Sequence, residues 1–174
     1  MANPEIKISD LDVIVIKGKD AETFLQGQIT NDIKLIKDEE KAIYAGYCSP
    51  KGRLIAFFLI IKVWDNYFLF CPSSISNGIS KKLSMYIMRS EVSLSHLSED
   101  ISYFIFHGES KEEKAFKNSG GTLPKNLMQT TKQSNANNKS GLFSVTKLPG
   151  KNHRFFVLGN NKIVEGVYSE VYPK

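Results

Sequence analysis

The sequence has 174 residues, 41% hydrophobic and 11% aromatic, which is enough apolar material for a folded core and excludes an intrinsically disordered chain. The length fits one ordinary domain or two small lobes. The longest apolar run, residues 54–64, contains Lys62 and is shorter than the roughly 20 residues that a membrane-spanning helix needs. The first ten residues lack the pattern of a signal peptide. We therefore expect a cytoplasmic protein.

The net charge of +5 would suit a nucleic-acid partner, but the identity of the basic residues favours a solvated surface. Twenty of the 23 basic residues are lysines, and the three arginines, Arg53, Arg89 and Arg154, are far apart in the sequence. Nucleic-acid readers concentrate arginine and interleave it with aromatic residues. RNA contact stays open as a minority hypothesis.

The first part of the chain predicts a strand followed by a short helix. Residues 11–18 are a β-branched run that ends in glycine. Asp20 is a plausible N-cap for a helix that begins at Ala21, with Phe24 facing the core. We expect this helix to end near Gly27, because glycine commonly follows a helix terminus.

Three more strands and a longer helix are predicted next. The strands are residues 42–49, 53–63 and 67–71, the last two joined by a hairpin turn at Trp64–Asn66. Their strongly apolar composition indicates strands that are covered on both faces. From Ser73 to Arg89 apolar residues recur at helical spacing, which predicts one helix over that whole stretch.

The second half alternates between strands and polar segments. Strands are predicted at 91–97 and 101–108, an exposed helix at 109–118, a hairpin over 142–159 and a short helix after 160. Residues 119–141 have few large apolar side chains and predict a long flexible loop. We therefore expect one lobe over 1–118, the loop at 119–141, and the start of a second lobe at 142–174. No internal repeat is apparent.

Metal chemistry is not indicated by this sequence. Cys48 and Cys71 lie in predicted strands and are not spaced as a metal site, so they are expected to be small buried thiols. His96, His107 and His153 are isolated from one another. We expect no metal on this chain.

Two polar segments remain as candidate sites. The first polar segment, residues 27–32, contains Gln28, Thr30, Asn31 and Asp32; the second, residues 48–53, has the sequence CSPKGR. Both suit tight turns, since asparagine and aspartate bond their own backbone and Pro50 and Gly52 fit turn dihedrals. Both segments also offer clustered donors and acceptors. The spacing of these residues alone does not decide between a tight turn and a binding site.

A family resemblance bears on that choice. The stretches GKDAETFLQGQITNDI (18–33), YCSPKGRL (47–54) and MYIMRSEVSL (85–94) resemble the N-terminal part of the YgfZ/GcvT family over roughly residues 10–110. GcvT proteins are glycine-cleavage aminomethyltransferases, and YgfZ-type proteins bind folate and support iron–sulfur enzymes, including tRNA-modifying ones. The resemblance implies an α+β fold with mostly antiparallel sheets, helices packed on one face, a GcvT-like folate-binding N-terminal domain and ferredoxin-like elements.

The same resemblance implies a folate site. Gln28, Thr30, Asn31 and Tyr44 would face the pteridine and aromatic linker of tetrahydrofolate or a derivative, and Lys51 or Arg53 its anionic tail. It also suggests iron–sulfur enzymes or their assembly proteins as partners. Alternative hypotheses are an aminomethyltransferase and a basic nucleic-acid-binding module.

Two departures from the family pattern limit what the resemblance implies about activity and completeness. The paired aspartates of the GcvT motif G-x-x-x-D-D correspond here to Ala56 and Phe57, so aminomethyl transfer by that mechanism is not expected. The YgfZ motif K-G-C-x-x-G-Q-E is absent. The family fold closes three subdomains into a ring, so we expect the C-terminal part to be missing, in either a truncated or a natural half-length member.

Overall fold

The computed structural model of the chain describes residues 10–36, 41–108, 110–118, 121–135, 138–151 and 153–172. The described residues form two compact units. The first unit is Asp10–Leu97, and the second contains the described residues from Ser98 onward. None of the helices in these ranges has the length and apolar character that crossing a bilayer requires.

The first unit is a five-stranded antiparallel sheet with the strand order β2-β3-β4-β1-β5. Its strands are β1 Leu11–Lys17, β2 Ala42–Cys48, β3 Leu54–Val63, β4 Asn66–Pro72 and β5 Ser93–His96. Its helices are α1 Ala21–Gln26 and α2 Ser73–Ser84, and a 3-10 turn covers Ile33–Ile36. The predicted strands and hairpin in this region are confirmed. The predicted antiparallel α+β class is confirmed as well.

The hairpin between β3 and β4 turns at Trp64 and Asp65. Both residues have positive φ, 53° and 60°. Two positive-φ residues in a row match the twist of the flanking strands, which is why such turns are favoured in two-residue hairpins.

The core of the first unit lies on the sheet face that the two helices cover. Ile14, Phe58 and Leu69 of the sheet are fully buried there with Leu25 of α1 and Leu83 of α2. Each such side chain contributes roughly 1.5–3 kcal/mol on burial. Residues of opposite parity, including Ile61 and Phe68, are buried too, as the apolar runs predicted.

Two helix ends differ from the sequence-based expectation. Asp20 holds the N-cap position of α1, but its side chain does not cap that helix and instead accepts a hydrogen bond from the Glu91 N–H at 2.7 Å. This contact brings residue 91 against Gly18, where a Cβ would lie 2.1 Å from the Glu91 carbonyl oxygen. Helix α2 ends at Ser84 and not at Arg89, so Tyr86 and Met88 are outside it.

The second unit is a four-stranded antiparallel sheet with the strand order β6-β9-β8-β7. Its elements are β6 Ile101–Gly108, α3 Ser110–Asn118, β7 Thr130–Asn135, β8 Asn138–Leu148, β9 His153–Asn160 and α4 Asn161–Val171. Phenylalanines dominate its core, with Phe104, Phe106, Phe116 and Phe155 at most 2% exposed. The helix predicted at 109–118 is confirmed over 110–118, with residue 109 outside the described residues, and the helix predicted after 160 is confirmed.

The predicted division of the chain at residue 118 is wrong. Strand β6 pairs along its whole length with β9, and α3 packs Phe116 into the same core, so both belong to the second unit. The sequence-based boundary followed the polar stretch after α3. Strand pairing across that stretch places the boundary at Leu97 instead.

The long loop predicted at 119–141 contains strand β7 and the beginning of β8. The sequence did not predict β7 because this strand is polar. Side-chain hydrogen bonds, and not apolar side chains, hold it in place. Thr130 bonds Thr146 of β8 at 2.9 Å, and the Gln133 amide donates to the Thr122 carbonyl and accepts from the Thr122 N–H.

The two units share one topology. Each consists of a strand, a helix, three strands in an antiparallel meander and a second helix, and in each sheet the first strand pairs with the last strand of the meander. The first unit continues with β5, which gives it one strand more than the β-α-β-β-α-β pattern of ferredoxin-like folds. The repeat was not visible in the sequence because pairing and alternation define it, not residue identity.

Asp12 on β1 ties three elements of the first unit together. Its carboxylate accepts hydrogen bonds from the Ser76 hydroxyl of α2 and the Val13 N–H, and lies 3.2 Å from His96 Nδ1 of β5. Partial burial raises the pKa of Asp12, but the bonds from Ser76 and Val13, together with His96, outweigh burial and leave the pKa below its usual value.

We predict that Asp12→Asn lowers the free energy of unfolding by about 1–2 kcal/mol at pH 7, because it removes a charged acceptor. Since the folded-state pKa is lowered, this stabilisation is complete above the unfolded-state value of about 4 and is lost as the pH falls through the folded-state pKa. Urea unfolding at pH 7 and at a pH below the folded-state pKa measures the difference. Asp32→Asn is the control, and an equal loss at both pH values would contradict the prediction.

Candidate functional site

The first polar segment is attached to the outer edge of β2. The Thr30 N–H donates to the Gly46 carbonyl at 2.9 Å, and the Gly46 N–H donates to Thr30 Oγ1 at 2.8 Å. One residue earlier, Ile29 forms an isolated antiparallel bridge with Tyr47. The segment therefore pairs with backbone groups of an edge strand that would otherwise be open.

Asn31 completes this attachment. Its side-chain Nδ2 donates to the Tyr44 carbonyl at 2.8 Å, and its Oδ1 accepts from the Asp32 N–H. The Gln26 side chain in turn accepts from the Ile33 N–H at 2.9 Å. Thr30 and Asn31, both predicted to contact a ligand, are thus already hydrogen-bonded within the fold.

The second polar segment is a tight turn between β2 and β3. The Ser49 N–H donates to the Arg53 carbonyl at 2.8 Å, and the Gly52 N–H donates to the Ser49 carbonyl at 2.9 Å. Gly52 has φ +74°, and Lys51 is exposed. The turn predicted from Pro50 and Gly52 is confirmed, and it leaves the Lys51 and Arg53 side chains in solvent.

An aromatic face is formed on β2 and β3 by Tyr44, Leu54 and Phe57. The Tyr44 and Phe57 rings are stacked, with centroids 5.4 Å apart and an interplanar angle of 16°. Phe57 is 55% exposed and Leu54 62% exposed, which is unusual for large apolar residues in a sheet. Gly46 pairs with Phe57 in this face, and a Cβ there would lie 2.8 Å from Leu54 Cδ1 and 3.1 Å from Thr30 Oγ1.

The two positions that carry aspartates in the GcvT motif point in opposite directions. Ala56 is 4% exposed and packs in the helix-covered core, whereas Phe57 belongs to the exposed aromatic face. Strand alternation requires this difference. At the outward position a phenyl ring therefore stands where the motif has a carboxylate, and it can stack or pack but cannot move a proton.

A cavity of about 350 Å³ brings the two polar segments together on the other side of β2. Its lining includes Gln28 of the first segment, residues 48–50 of the second, and Tyr47, Lys82 and Tyr86. Tyr47 is 5% exposed. Burial and the neighbouring Tyr86 raise the pKa of Tyr47, so its hydroxyl stays protonated at neutral pH.

The six predicted site residues fall into three groups. Tyr44 lies in the aromatic face, with Thr30 and Asn31 hydrogen-bonded to the backbone of its strand. Gln28 lies at the cavity. Lys51 and Arg53 are exposed on the second segment.

Sequence reasoning missed Phe57 as part of the aromatic face and Tyr47 as part of the cavity wall. The signal for both was the alternation of β2 and β3, which assigns Tyr44 and Tyr47 to opposite faces.

The two cysteines and the potential metal ligands were the other candidates for chemistry in this unit. Burial, followed by the nearby Asp12 charge, raises the pKa of the Cys71 thiol to about 11, so this cysteine is protonated and unreactive at neutral pH. Cys48 is half-buried, and both cysteines are free thiols. Within the described ranges, no three His, Cys, Asp or Glu side chains are grouped so that they could hold a metal ion.

Comparison with known proteins finds relatives of two kinds. The chain is 31% identical over 107 residues to an aminomethyltransferase of Clostridium botulinum and 28% identical over 109 residues to one of Caldanaerobacter subterraneus. It is also 31% identical over 101 residues to the tRNA-modifying protein YgfZ of Aliivibrio fischeri. These alignments cover 56–61% of the chain but only 28–31% of the relatives. No family model matches the chain.

The fold has a counterpart among solved structures. The crystal structure of the glycine cleavage system aminomethyltransferase T from Bartonella henselae superimposes with a TM-score of 0.73 over 96% of this chain, at 12% identity. The match covers 44% of that protein, so the chain spans less than half of its length. The predicted resemblance to the YgfZ/GcvT family is confirmed in sequence and in fold.

We predict that Thr30→Val lowers the free energy of unfolding by about 1–2 kcal/mol, because the shape is kept while the Gly46 N–H loses its acceptor. The matched control is Thr23→Val at an exposed position of α1. Urea unfolding of both variants tests the difference. Equal stabilities would show that the first polar segment is not fixed through Thr30.

Proposed function

We propose that this chain, which is similar in sequence and fold to the YgfZ/GcvT family, supplies part of the wall of a folate-binding site. The observation that carries the proposal is the aromatic face. Phe57, which is 55% exposed, stacks on the half-buried Tyr44 next to a segment held to the strand of Tyr44 by hydrogen bonds. An exposed flat aromatic surface on a rigid sheet is suited to a flat heteroaromatic ligand.

Each part of a folate has a matching group on this surface. The pteridine or the aminobenzoyl ring would stack on Tyr44 and Phe57, and Leu54 would extend the apolar contact. Gln28 lies at the cavity and not on this surface. Thr30 and Asn31 would act by holding β2 in place, since both side chains already hydrogen-bond its backbone.

The anionic tail of the ligand has two candidate partners. Lys51 and Arg53 are exposed on the turn that precedes Leu54, which is itself part of the aromatic face. The glutamate tail of a folate carries carboxylates, for which a guanidinium or ammonium group is the natural partner. The side chains are long and free to reach outward, so a tail of variable length can be accommodated.

We favour a YgfZ-type role over aminomethyl transfer. With Ala56 in the core and Phe57 in the aromatic face, neither of these two positions supplies a carboxylate to handle the proton of an amine. One relative is named a tRNA-modifying protein, and the family resemblance suggests support of iron–sulfur enzymes as the route to that modification. The chain would contribute the folate-binding wall to such a function.

Nucleic acid is a weaker candidate ligand for this chain. The larger surface depression of the first unit, about 850 Å³, mixes Lys17, Lys19 and Lys62 with Glu22, Asp65 and Glu91. Lys19 is paired with Glu91. Such balanced charge does not give the positive field that phosphate binding needs.

We predict that Tyr44→Leu and Phe57→Ala each weaken binding of 5-formyltetrahydrofolate about fivefold to tenfold, since each removes one stacked ring. Isothermal titration calorimetry of the whole chain measures this, with Leu35→Ala, an exposed apolar residue elsewhere in the unit, as the control. Wild-type binding that both variants leave unchanged would remove the aromatic face from the site. Absence of wild-type binding would reject folate binding by this chain alone.

A further inference from the structure

A second exposed apolar surface lies at the end of α2. Met85, Tyr86 and Met88, called here the methionine surface, are 69%, 48% and 88% exposed. Met85 and Tyr86 also line the 350 Å³ cavity, whose opposite wall is formed by the two polar segments. Three large apolar side chains within four residues, next to a cavity, are more than the scattered exposure normal for a protein surface.

This surface is separate from the aromatic face. Tyr47 lines the cavity, whereas Tyr44 and Gly46 of the same strand belong to the aromatic face. Because neighbouring side chains of a strand point to opposite sides, the two surfaces lie on opposite sides of β2. A ligand on one therefore leaves the other accessible.

The charge around the cavity is positive. Among the described residues that line it, Lys82 carries a charge and none is acidic. Lys81 precedes it on α2, and Arg89 follows the methionine surface by one residue; both are exposed. The positive charge of Lys82 at the cavity attracts carboxylates and disfavours a basic partner.

The residue types of the methionine surface favour a protein segment as its ligand. Methionine side chains adapt their shape to a partner, and methionine, tyrosine and arginine are enriched where proteins meet. Single-stranded nucleic acid would need a row of aromatic rings for successive bases, and here Tyr86 is the exposed ring. The cavity is at the small end of the range for ligand pockets and suits one inserted side chain.

We propose that the methionine surface binds an acidic segment of a partner protein, which inserts one large apolar side chain into the cavity and places carboxylates against Lys82 and its basic neighbours. The buried Tyr47 forms part of the cavity wall, where its hydroxyl can donate to the inserted segment. The cavity and the aromatic face are formed by different residues, so the two proposed interactions can be tested separately.

Fluorescence polarisation of the whole chain tests the proposal with a fluorescein-labelled twelve-residue peptide of glutamates around a central leucine. We expect saturable binding that weakens about tenfold when the leucine is replaced by alanine, because the apolar contact is lost. A peptide with lysines for the glutamates should not bind. No saturable binding of the glutamate–leucine peptide, or equal binding of all three peptides, would overturn the proposal.

Surface variants locate the contact. Met85→Asp and Lys82→Glu should each weaken peptide binding about tenfold, since one places a charge at the apolar contact and the other reverses the charge that attracts the carboxylates. The matched controls Leu35→Asp and Lys34→Glu, also exposed, should bind as wild type.

Binding that survives both cavity variants would overturn the proposal, as would displacement of the peptide by a single-stranded RNA that needs the same two residues. Tyr44→Leu should weaken folate binding and leave peptide binding unchanged, so the two proposals can fail separately.

Discussion

The pair of hydrogen bonds between Thr30 and Gly46 is the constraint on which the surfaces of the first unit depend. It uses both backbone groups of a residue on the edge strand and so fixes the chain after α1 against β2. Glycine at position 46 gives Thr30 and Leu54 the space for this approach. With the segment fixed, Gln28 reaches one side of β2 and Asn31 holds the carbonyl of Tyr44. The sheet edge is closed and functional side chains are positioned by the same contact.

Strand alternation then assigns the residues of β2 and β3 to two different surfaces. Tyr44 and Phe57 form a flat aromatic surface, and Tyr47 faces the cavity that is completed by the end of α2. The early end of α2 at Ser84 matters here, because a helix continuing to Arg89 would have carried Tyr86 and Met88 in a different direction. One short meander of strands thus presents two chemically different surfaces.

Most elements of the first unit could be predicted from the sequence, since apolar alternation, Gly52 and the hairpin at Trp64–Asp65 are local signals. The unit boundary could not, because the pairing of β6 with β9 joins residues about fifty positions apart. Strand β7 was missed since Gln133 and Thr130 stabilise it through polar contacts. For the site, residue types indicated Tyr44, but the stacking of Phe57 on it depends on register, which the sequence does not state.

The shared topology of the two units has a consequence for how the chain folds during synthesis. In each unit the first strand pairs with the last strand of the meander: β1 with β4, and β6 with β9. A nascent chain must therefore hold its first apolar strand unpaired until the ribosome has released the whole meander. Closing such long loops is slow compared with forming local hairpins. During vectorial synthesis the apolar strand Leu11–Lys17 therefore emerges well before β4, the strand with which it pairs.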